Sequence, residues 1–387
     1  MHRMLVSSSR TRVFLFVAGL AVVLIVTFLS TDHFKTQSYR SSYASSPIDH
    51  GLDSNGDVIQ GNSTNGAIFM LVSPSRIHQA IIALLNVENR FNRRLQYSYV
   101  LFTASEEESA MINEEERRKI DWITQGRAKL AVLNKESWDV PESYDKSRVN
   151  DSLHTIGFSS GYRSMCRFYS GFFWKHHALA QYDWLWRLDT DIEFHCDIPY
   201  DPIQRMIDGG ALYGFVQINA DAVWVQPSLA GNVSEFLFDY YNTHPSSSDS
   251  AVSIGNSGLP LAVPIDVNHG FVWHSKEGIE KALGGEAGSK EWTKMCMYNN
   301  FEISHRSIWE SEIYTAFFKH LDRAGGFFYE RWGDSPVHSF GIAMALRKDQ
   351  VMQFRDMGYQ HQGWAYECAQ LDRCTCLRDE FDDQGYK

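Results

Sequence analysis

Residues Val13 to Leu29 (VFLFVAGLAVVLIVTFL) form an unbroken apolar run without charge or proline, preceded by Arg3, Arg10 and Arg12 and followed by Asp32. At about 1.5 Å of rise per residue, such a run reaches roughly 26 Å as a helix. That length suits the thinner membranes of the early secretory pathway. The basic flank is expected to stay cytosolic, which places the C-terminal part in the lumen. A cleaved signal peptide is the alternative reading. It calls for a shorter apolar core and a small-x-small cleavage site, and TFLSTDHF offers a poor one. The expectation is a cytosolic tail over 1–12 and a transmembrane signal anchor over 13–29.

Past the anchor the pattern changes twice. Over 30–66 Ser, Asp, Gly and Asn dominate and no apolar period survives, the signature of a flexible stem. From Ala67 onward apolar runs return. AIFMLV (Ala67 to Val72), YSYVLFTAS (Tyr97 to Ser105) and LAVLN (Leu130 to Asn134) read as strands, and so does WLWRLDTDIEF (Trp184 to Phe194). Ile77 to Phe91 and Tyr162 to Ala180 carry helical spacing, and the charged stretch Glu106 to Trp122 reads as a surface helix. Strands alternating with helices predict an α/β domain over 67–387 with a mostly parallel sheet covered on both faces. Neither an internal repeat nor a G-x-G-x-x-G string is present.

Charge and cysteine content narrow the function. A formal net charge of -11 argues against nucleic-acid binding, which needs a basic stripe to displace counterions. It does not argue against a small anionic substrate, since a bound divalent cation outweighs the surface field locally. The 24 Phe, 18 Tyr and 11 Trp are explained first by a thick core. The six cysteines (Cys166, Cys196, Cys296, Cys368, Cys374 and Cys376) all follow the anchor, where disulfides can form. Their pairing is open, except that Cys374 and Cys376 sit too close together to bridge each other. Sequons at Asn62, Asn150 and Asn232 agree with luminal exposure.

Ligands of open α/β sheets gather beyond the carboxyl ends of strands, which directs attention to Asp189-Thr-Asp191. Alternate residues of an extended chain share a face, so the two carboxylates can converge on Mg²⁺ or Mn²⁺ and a diphosphate. A strand cap is the ordinary alternative. His338, in ERWGDSPVHS, is expected in a tight loop, either completing the metal shell or bonding backbone. Glu302 stands between Phe301 and Ile303, where an unpaired carboxylate is costly. It is either one half of a salt bridge or a carboxylate beside a reacting sugar carbon.

Long strings in the middle and end of the chain carry a resemblance: RFNRRLQYSYVLF, YRSMCRFYSGFFWKH, YDWLWRLDTDIEFHCDIPYDPI, CMYNNFEIS, LDRAGGFFYERWGDSPVHS, FRDMGYQHQ and RCTC. From about Ala67 to Cys376 the sequence is similar to the fungal Golgi α-1,2-mannosyltransferases, glycosyltransferase family 15. The resemblance implies a GT-A-like fold, GDP-mannose as donor, Mn²⁺ as cofactor and retention at the anomeric carbon. The acceptor would be a mannose-terminated N- or O-glycan of a secretory protein, and the location the Golgi membrane. It further implies Asp189 and His338 as metal ligands and Asp191 beside the cofactor. Glu302 would be the nucleophile or the carboxylate supporting an oxocarbenium-like state. Tyr162, at the head of Y-R-x-M-C-R-F, would lie near the reacting sugar, with packing in the core as its ordinary alternative.

The sequence departs from the family pattern in places. Asp189 stands where the family usually carries Glu. Ser73-Pro74 replaces an Arg-Asn pair, which leaves Arg76 as the candidate contact to the nucleotide. Ser246 to Glu291 looks unlike the family and is expected to shape the acceptor groove. Rival readings are an inactive glycan-binding scaffold, a retaining glycoside hydrolase, and a transferase of other donor or linkage.

Overall fold

A computed structural model describes residues 64–243, 295–362, 364–365 and 372–375, all within one compact unit, Ile59–Lys387. The expected anchor over 13–29, the stem to residue 63, and Ser246 to Glu291 lie outside the described residues. Among the described residues no helix is long and apolar enough to cross a membrane.

Seven strands form the main sheet: β1 (Gly66–Leu71), β2 (Ser98–Thr103), β3 (Ala128–Val132), β4 (Trp184–Leu188), β6 (Tyr213–Phe215), β9 (Phe301–His305) and β10 (Val351–Gln353). Their order is β10-β6-β9-β4-β1-β2-β3. β9 runs antiparallel to both neighbours, β4 and β6, while the other pairings are parallel. The expected mixed, mostly parallel sheet is therefore present. A second sheet of order β12-β11-β5 is built from β5 (Ile192–Phe194), β11 (Tyr359–His361) and β12 (Trp364–Ala365). A two-stranded ribbon pairs β7 (Ile218–Ala220) with β8 (Met295–Met297).

The longer helices are α1 (Ile77–Val87), α2 (Glu114–Thr124), α3 (Lys146–Thr155), α4 (Ser160–Gly171), α5 (Leu229–Thr243), α6 (Glu312–Ala324) and α7 (Asp334–Ala345). Both faces of the main sheet are covered, which is why β1 and β4 read as continuous apolar runs rather than alternating ones. Ile68, Met70, Trp186, Leu188, Phe301 and Ile303 pack with α1 and α2 on one face. Ala67, Phe69, Leu185, Tyr213 and Phe215 pack with α4, α6 and α7 on the other. Arg187 and Glu302 project from β4 and β9 toward that second face, because side chains alternate along a strand.

Three expected elements are divided in the structure. The charged stretch from Glu106 breaks at Asn113, whose side chain accepts from the Glu115 and Glu116 amides while Glu116 accepts from the Asn113 amide. This reciprocal cap starts α2 as a separate helix. The helix from Tyr162 stops at Gly171, where a Cβ would lie 1.9 Å from the Phe318 ring. The strand expected over Trp184 to Phe194 is two strands in two sheets, with Asp189-Thr190-Asp191 as the turn between them.

The small sheet is tied at its far end by the disulfide Cys196–Cys374. Gly358 closes against it at φ +56, and a Cβ there would lie 2.5 Å from Cys196 Sγ. Cys166 and Cys296 are buried free thiols, and Cys368 and Cys376 lie outside the described residues.

Candidate active site

The turn after β4 is fixed by backbone pairing: the Asp189 amide donates to the Asn300 carbonyl at 3.0 Å. β5 then pairs antiparallel with β11 in a register that sets His361 opposite Ile192, next to Asp191. Each carboxylate commits one oxygen to the protein. Asp189 Oδ1 is 3.1 Å from Arg187 Nη2, while Asp191 Oδ2 accepts from Arg76 Nη1 at 2.8 Å and Gln362 Nε2 at 3.0 Å. The other two oxygens converge on one histidine. His361 Nε2 lies 3.2 Å from Asp191 Oδ1 and 3.9 Å from Asp189 Oδ2.

His361 is buried, yet its Nε2 is close to Asp191 without the alignment of a hydrogen bond and has no partner. Buried polar atoms are ordinarily satisfied, so an orphaned ring nitrogen facing two carboxylate oxygens fits a cation-binding set. Ligand atoms of Asp189, Asp191 and His361 all lie within 4.8 Å of one another. Two carboxylates and an imidazole suit a divalent cation of the Mn²⁺ or Mg²⁺ kind. Burial pushes the Asp189 carboxyl up, and Arg187 and His361 offset this only in part. Burial also pushes Asp191 up, but the adjacent His361 and the hydrogen bonds from Gln362 and Arg76 hold its carboxyl well below the usual carboxylate range.

A second polar cluster lies on the helix side of the sheet, joined to the first by Arg187. The register sets Arg187 opposite Glu302 and Glu302 opposite Phe215. The Arg187 guanidinium bonds Asp334 at 2.5 Å and lies 3.5 Å from the centre of the Tyr169 ring. Asp334 opens α7, where a carboxylate complements the helix N-terminus. Burial works against its charge, but Arg187 and then His338 keep its carboxyl below the ordinary range. Glu302 is 1% exposed. Its Oε2 accepts from Tyr213 Oη at 2.8 Å and lies 2.6 Å from His338 Nδ1. Its Oε1 is buried and has no partner.

A third group flanks the start of α4. Arg331 donates to Asp221 at 3.0 Å and to the Tyr162 hydroxyl at 3.3 Å. Its guanidinium lies 4.8 Å from the ring centre of Phe158, an exposed residue at φ +62. Tyr162, Cys166 and Tyr169 fall at i, i+4 and i+7 on α4 and so form one stripe of that helix. Tyr169 meets Arg187 as above, so Tyr162 stands roughly 10 Å away along the helix axis at about 1.5 Å per residue.

The structure thus brings together Asp189, Asp191 and Arg76, and it places Glu302 against the same Arg187 that holds Asp189. It does not bring His338 to the carboxylate pair. That residue is no loop histidine: it sits in α7, fully buried, with Nδ1 at Glu302 and Nε2 2.8 Å from the Tyr169 carbonyl. With both ring nitrogens engaged, it has no lone pair left for a metal. The histidine that stands with the carboxylate pair is His361. It lies in FRDMGYQHQ, one of the strings that carry the resemblance, but nothing in its local sequence separates it from the other histidines. The pairing of β11 with β5 is what selects it.

Comparisons with known proteins identify the family and the fold. The family model described as glycolipid 2-alpha-mannosyltransferase matches residues 29–386. O-glycoside alpha-1,2-mannosyltransferase homolog 3 of Schizosaccharomyces pombe is 32% identical over 81% of this chain and 77% of its own length. Among solved structures, the Mn/GDP form of core-mannan synthase A from Aspergillus fumigatus aligns at TM-score 0.67 and 27% identity, covering 84% of this chain and 82% of that one. The S. cerevisiae mannosyltransferase Ktr4p in complex with GDP aligns at TM-score 0.65 and 25% identity, covering 82% and 77%.

Proposed function

The chain belongs to the glycolipid 2-alpha-mannosyltransferase family, and from that premise we propose that it is a retaining α-1,2-mannosyltransferase transferring mannose from GDP-mannose to mannose-terminated glycans of secretory proteins. One observation carries the reading: a convergent Asp189, Asp191 and His361 set is bonded to Arg187, which stands opposite a buried carboxylate, Glu302, that keeps one oxygen unpartnered.

Asp189, Asp191 and His361 would hold the cation, with Mn²⁺ as the expected ion. When bound, it supplies Lewis-acid neutralisation of a diphosphate leaving group. Arg76, half exposed beside Asp191, is the contact to the nucleotide phosphates. Glu302 meets the positive charge that develops at the anomeric carbon through its free Oε1. Retention follows either a mannosyl-enzyme on that oxygen, as in retaining glycosidases, or a front-face path in which the leaving phosphate takes the acceptor's proton. Tyr162 and Arg331 border the acceptor side, with the Tyr162 hydroxyl held neutral by its charged and buried surroundings, Cys166 foremost.

The setting proposed is the Golgi membrane, with residues 13–29 as a type II anchor and the catalytic domain in the lumen. Protease protection of microsomes, with and without detergent, tests that arrangement. The reaction is tested by incubating the full chain with GDP-mannose and α-methyl mannoside, with and without Mn²⁺, and assigning the product linkage by NMR. An α-1,2 disaccharide made only with metal is expected. Glu302→Gln is expected to lower kcat by roughly 10²–10³-fold, the usual effect of removing one electrostatic stabiliser. Release of free mannose as the only product would sink the transferase reading.

A further inference from the structure

The shortest polar contact at each ring nitrogen of His338 fixes its protons. Nε2 lies 2.8 Å from the Tyr169 carbonyl, a group that only accepts, so Nε2 bears a proton. Nδ1 lies 2.6 Å from Glu302 Oε2. A neutral ring already protonated at Nε2 offers only a lone pair at Nδ1, and a carboxylate also offers only lone pairs. At that distance a proton must lie between them. Either the ring is an imidazolium facing a carboxylate, or a neutral ring accepts from a carboxylic acid.

The surroundings decide between the two. Tyr213 Oη donates to the same Oε2 at 2.8 Å. Two donors on one oxygen suit an anion, whereas the hydroxyl oxygen of an acid is a poor acceptor. Burial and the adjoining Glu302 push the Tyr213 phenol well up, so it remains a donor. Arg187 faces Glu302 across the strand pair and favours its anion further. Asp334, one turn before His338, is bonded by Arg187 and by Asn299 Nδ2 at 3.0 Å and favours a cationic ring. Tyr314, packed edge-on to the His338 ring, is pushed well up by burial and adds no charge. Asn299 Nδ2 also lies 3.3 Å from Nδ1. That contact is longer than the carboxylate's and does not set the proton.

We propose that His338 is a positioning residue in its imidazolium form. With Tyr213 it ties down Oε2 of Glu302, keeps the carboxylate ionised, and leaves Oε1 as the one oxygen offered to the donor sugar. The proposal rests on the reading of Glu302 given above and extends it. It accounts for a fully buried histidine that takes no part in the metal set. It also accounts for the asymmetry of Glu302, with one oxygen in two hydrogen bonds and the other buried without a partner.

The test uses the full chain labelled with ¹⁵N-histidine. The His338 signals are identified among the 15 histidines by their loss in His338→Gln. Expected at neutral pH is a ring with both nitrogens protonated in the native chain, and a neutral ring bare at Nδ1 in Glu302→Gln, whose amide can donate there. A neutral ring in the native chain would overturn the proposal, because Glu302 would then be an acid.

Kinetics supply the second readout. His338→Gln keeps a donor but not the charge. It should lower kcat about 100-fold, the scale of one lost electrostatic group, with KM for GDP-mannose moving less than about threefold. Unchanged kcat in the folded variant, or a change confined to KM, would overturn the role. Should His338→Gln not fold, Tyr213→Phe removes the other donor and is expected to lower kcat in the same direction, and Glu302→Gln identifies the signals. Normal turnover by Glu302→Gln would remove the reading of Glu302 itself. The ring's protonation, read without turnover, tells that failure apart from failure of the ion pair.

Discussion

Replacing His361 by Phe separates the metal set from the rest of the site. The substitution keeps an aromatic ring against Tyr298, where the centroids stand 5.2 Å apart edge-to-face, and deletes the one nitrogen donor of the set. Asp191 retains Arg76 and Gln362, and Asp189 retains Arg187, so neither carboxylate is stranded. Loss of even an outer-shell partner weakens metal affinity by about 10–100-fold, so loss of one of three direct protein ligands should reach or exceed the upper figure. At about 1.4 kcal/mol per tenfold, that is roughly 2.8 kcal/mol of binding. The assay is a Mn²⁺ titration of mannosyl transfer at fixed GDP-mannose, paired with Mn²⁺ binding in the presence of GDP. The half-saturating concentration should rise about 100-fold or more in His361→Phe. His338→Gln should leave it unchanged, whatever it does to kcat. If His338→Gln raised the metal requirement and His361→Phe did not, the assignment would be reversed and the site geometry misread.

Three further outcomes follow from packing and charge. Asp334→Asn leaves Arg187, 3% exposed, with Asp189 as its remaining ion-pair partner. Breaking a buried pair costs about 3–5 kcal/mol, and with Asp189 still present the lower end is expected in urea unfolding. The native carboxyl has a depressed pKa, so its contribution is full above the ordinary carboxylate value and is lost as pH falls below it. Asp334→Asn should therefore flatten the acid limb of stability against pH, and an unchanged limb would refute this. Gly171→Ala drives a Cβ to 1.9 Å from the Phe318 ring and should destabilise by about 1–3 kcal/mol in chemical denaturation. Cys196→Ser opens a link spanning 178 residues and should cost about 3–5 kcal/mol by thermal unfolding. Dithiothreitol should lower the melting temperature of the native chain and leave that of the variant unchanged.

The fold was legible wherever the pattern was local. The runs at Ala67, Tyr97, Leu130 and Trp184 became β1 to β4, continuous in β1, β2 and β4 because strands buried on both faces need apolar sequence throughout. Boundaries failed where a single side chain or a tertiary contact set them. Asn113 started a new helix within a charged stretch that looked uniform, and the helix from Tyr162 ended at Gly171 where periodicity ran past. Asp189 and Asp191 were found for an incomplete reason. They converge as an extended strand would allow, but they do so across a turn between two sheets. His361 and the partners of Glu302 were beyond reach, since they depend on register between segments as distant as β5 and β11, or β4 and β9. A histidine in α7 and one in β11 look alike in sequence. Only the packing shows that the first spends both nitrogens inside the protein and the second leaves one free.

The reversed strand explains why the two halves of the site meet. Had β9 run parallel to β4, the Asn299–Asn300 segment would lie at the opposite edge of the sheet from Asp189. Running antiparallel, β9 begins where β4 ends, so the Asn300 carbonyl anchors the Asp189 amide while Glu302 faces Arg187 two residues further in. Arg187 then serves both sides at once, bonding Asp189 toward the metal set and Asp334 toward the helix. Asp191 pairs with Arg76, Asp189 and Asp334 pair with Arg187, and Glu302 has His338 and Tyr213 as its partners. Burial already pushes Asp189 up. A divalent cation at the first pair would offset the remaining charge at one end, as the proposed His338 imidazolium does at the other. Each end therefore has its own histidine, His361 beside the carboxylate pair and His338 against Glu302.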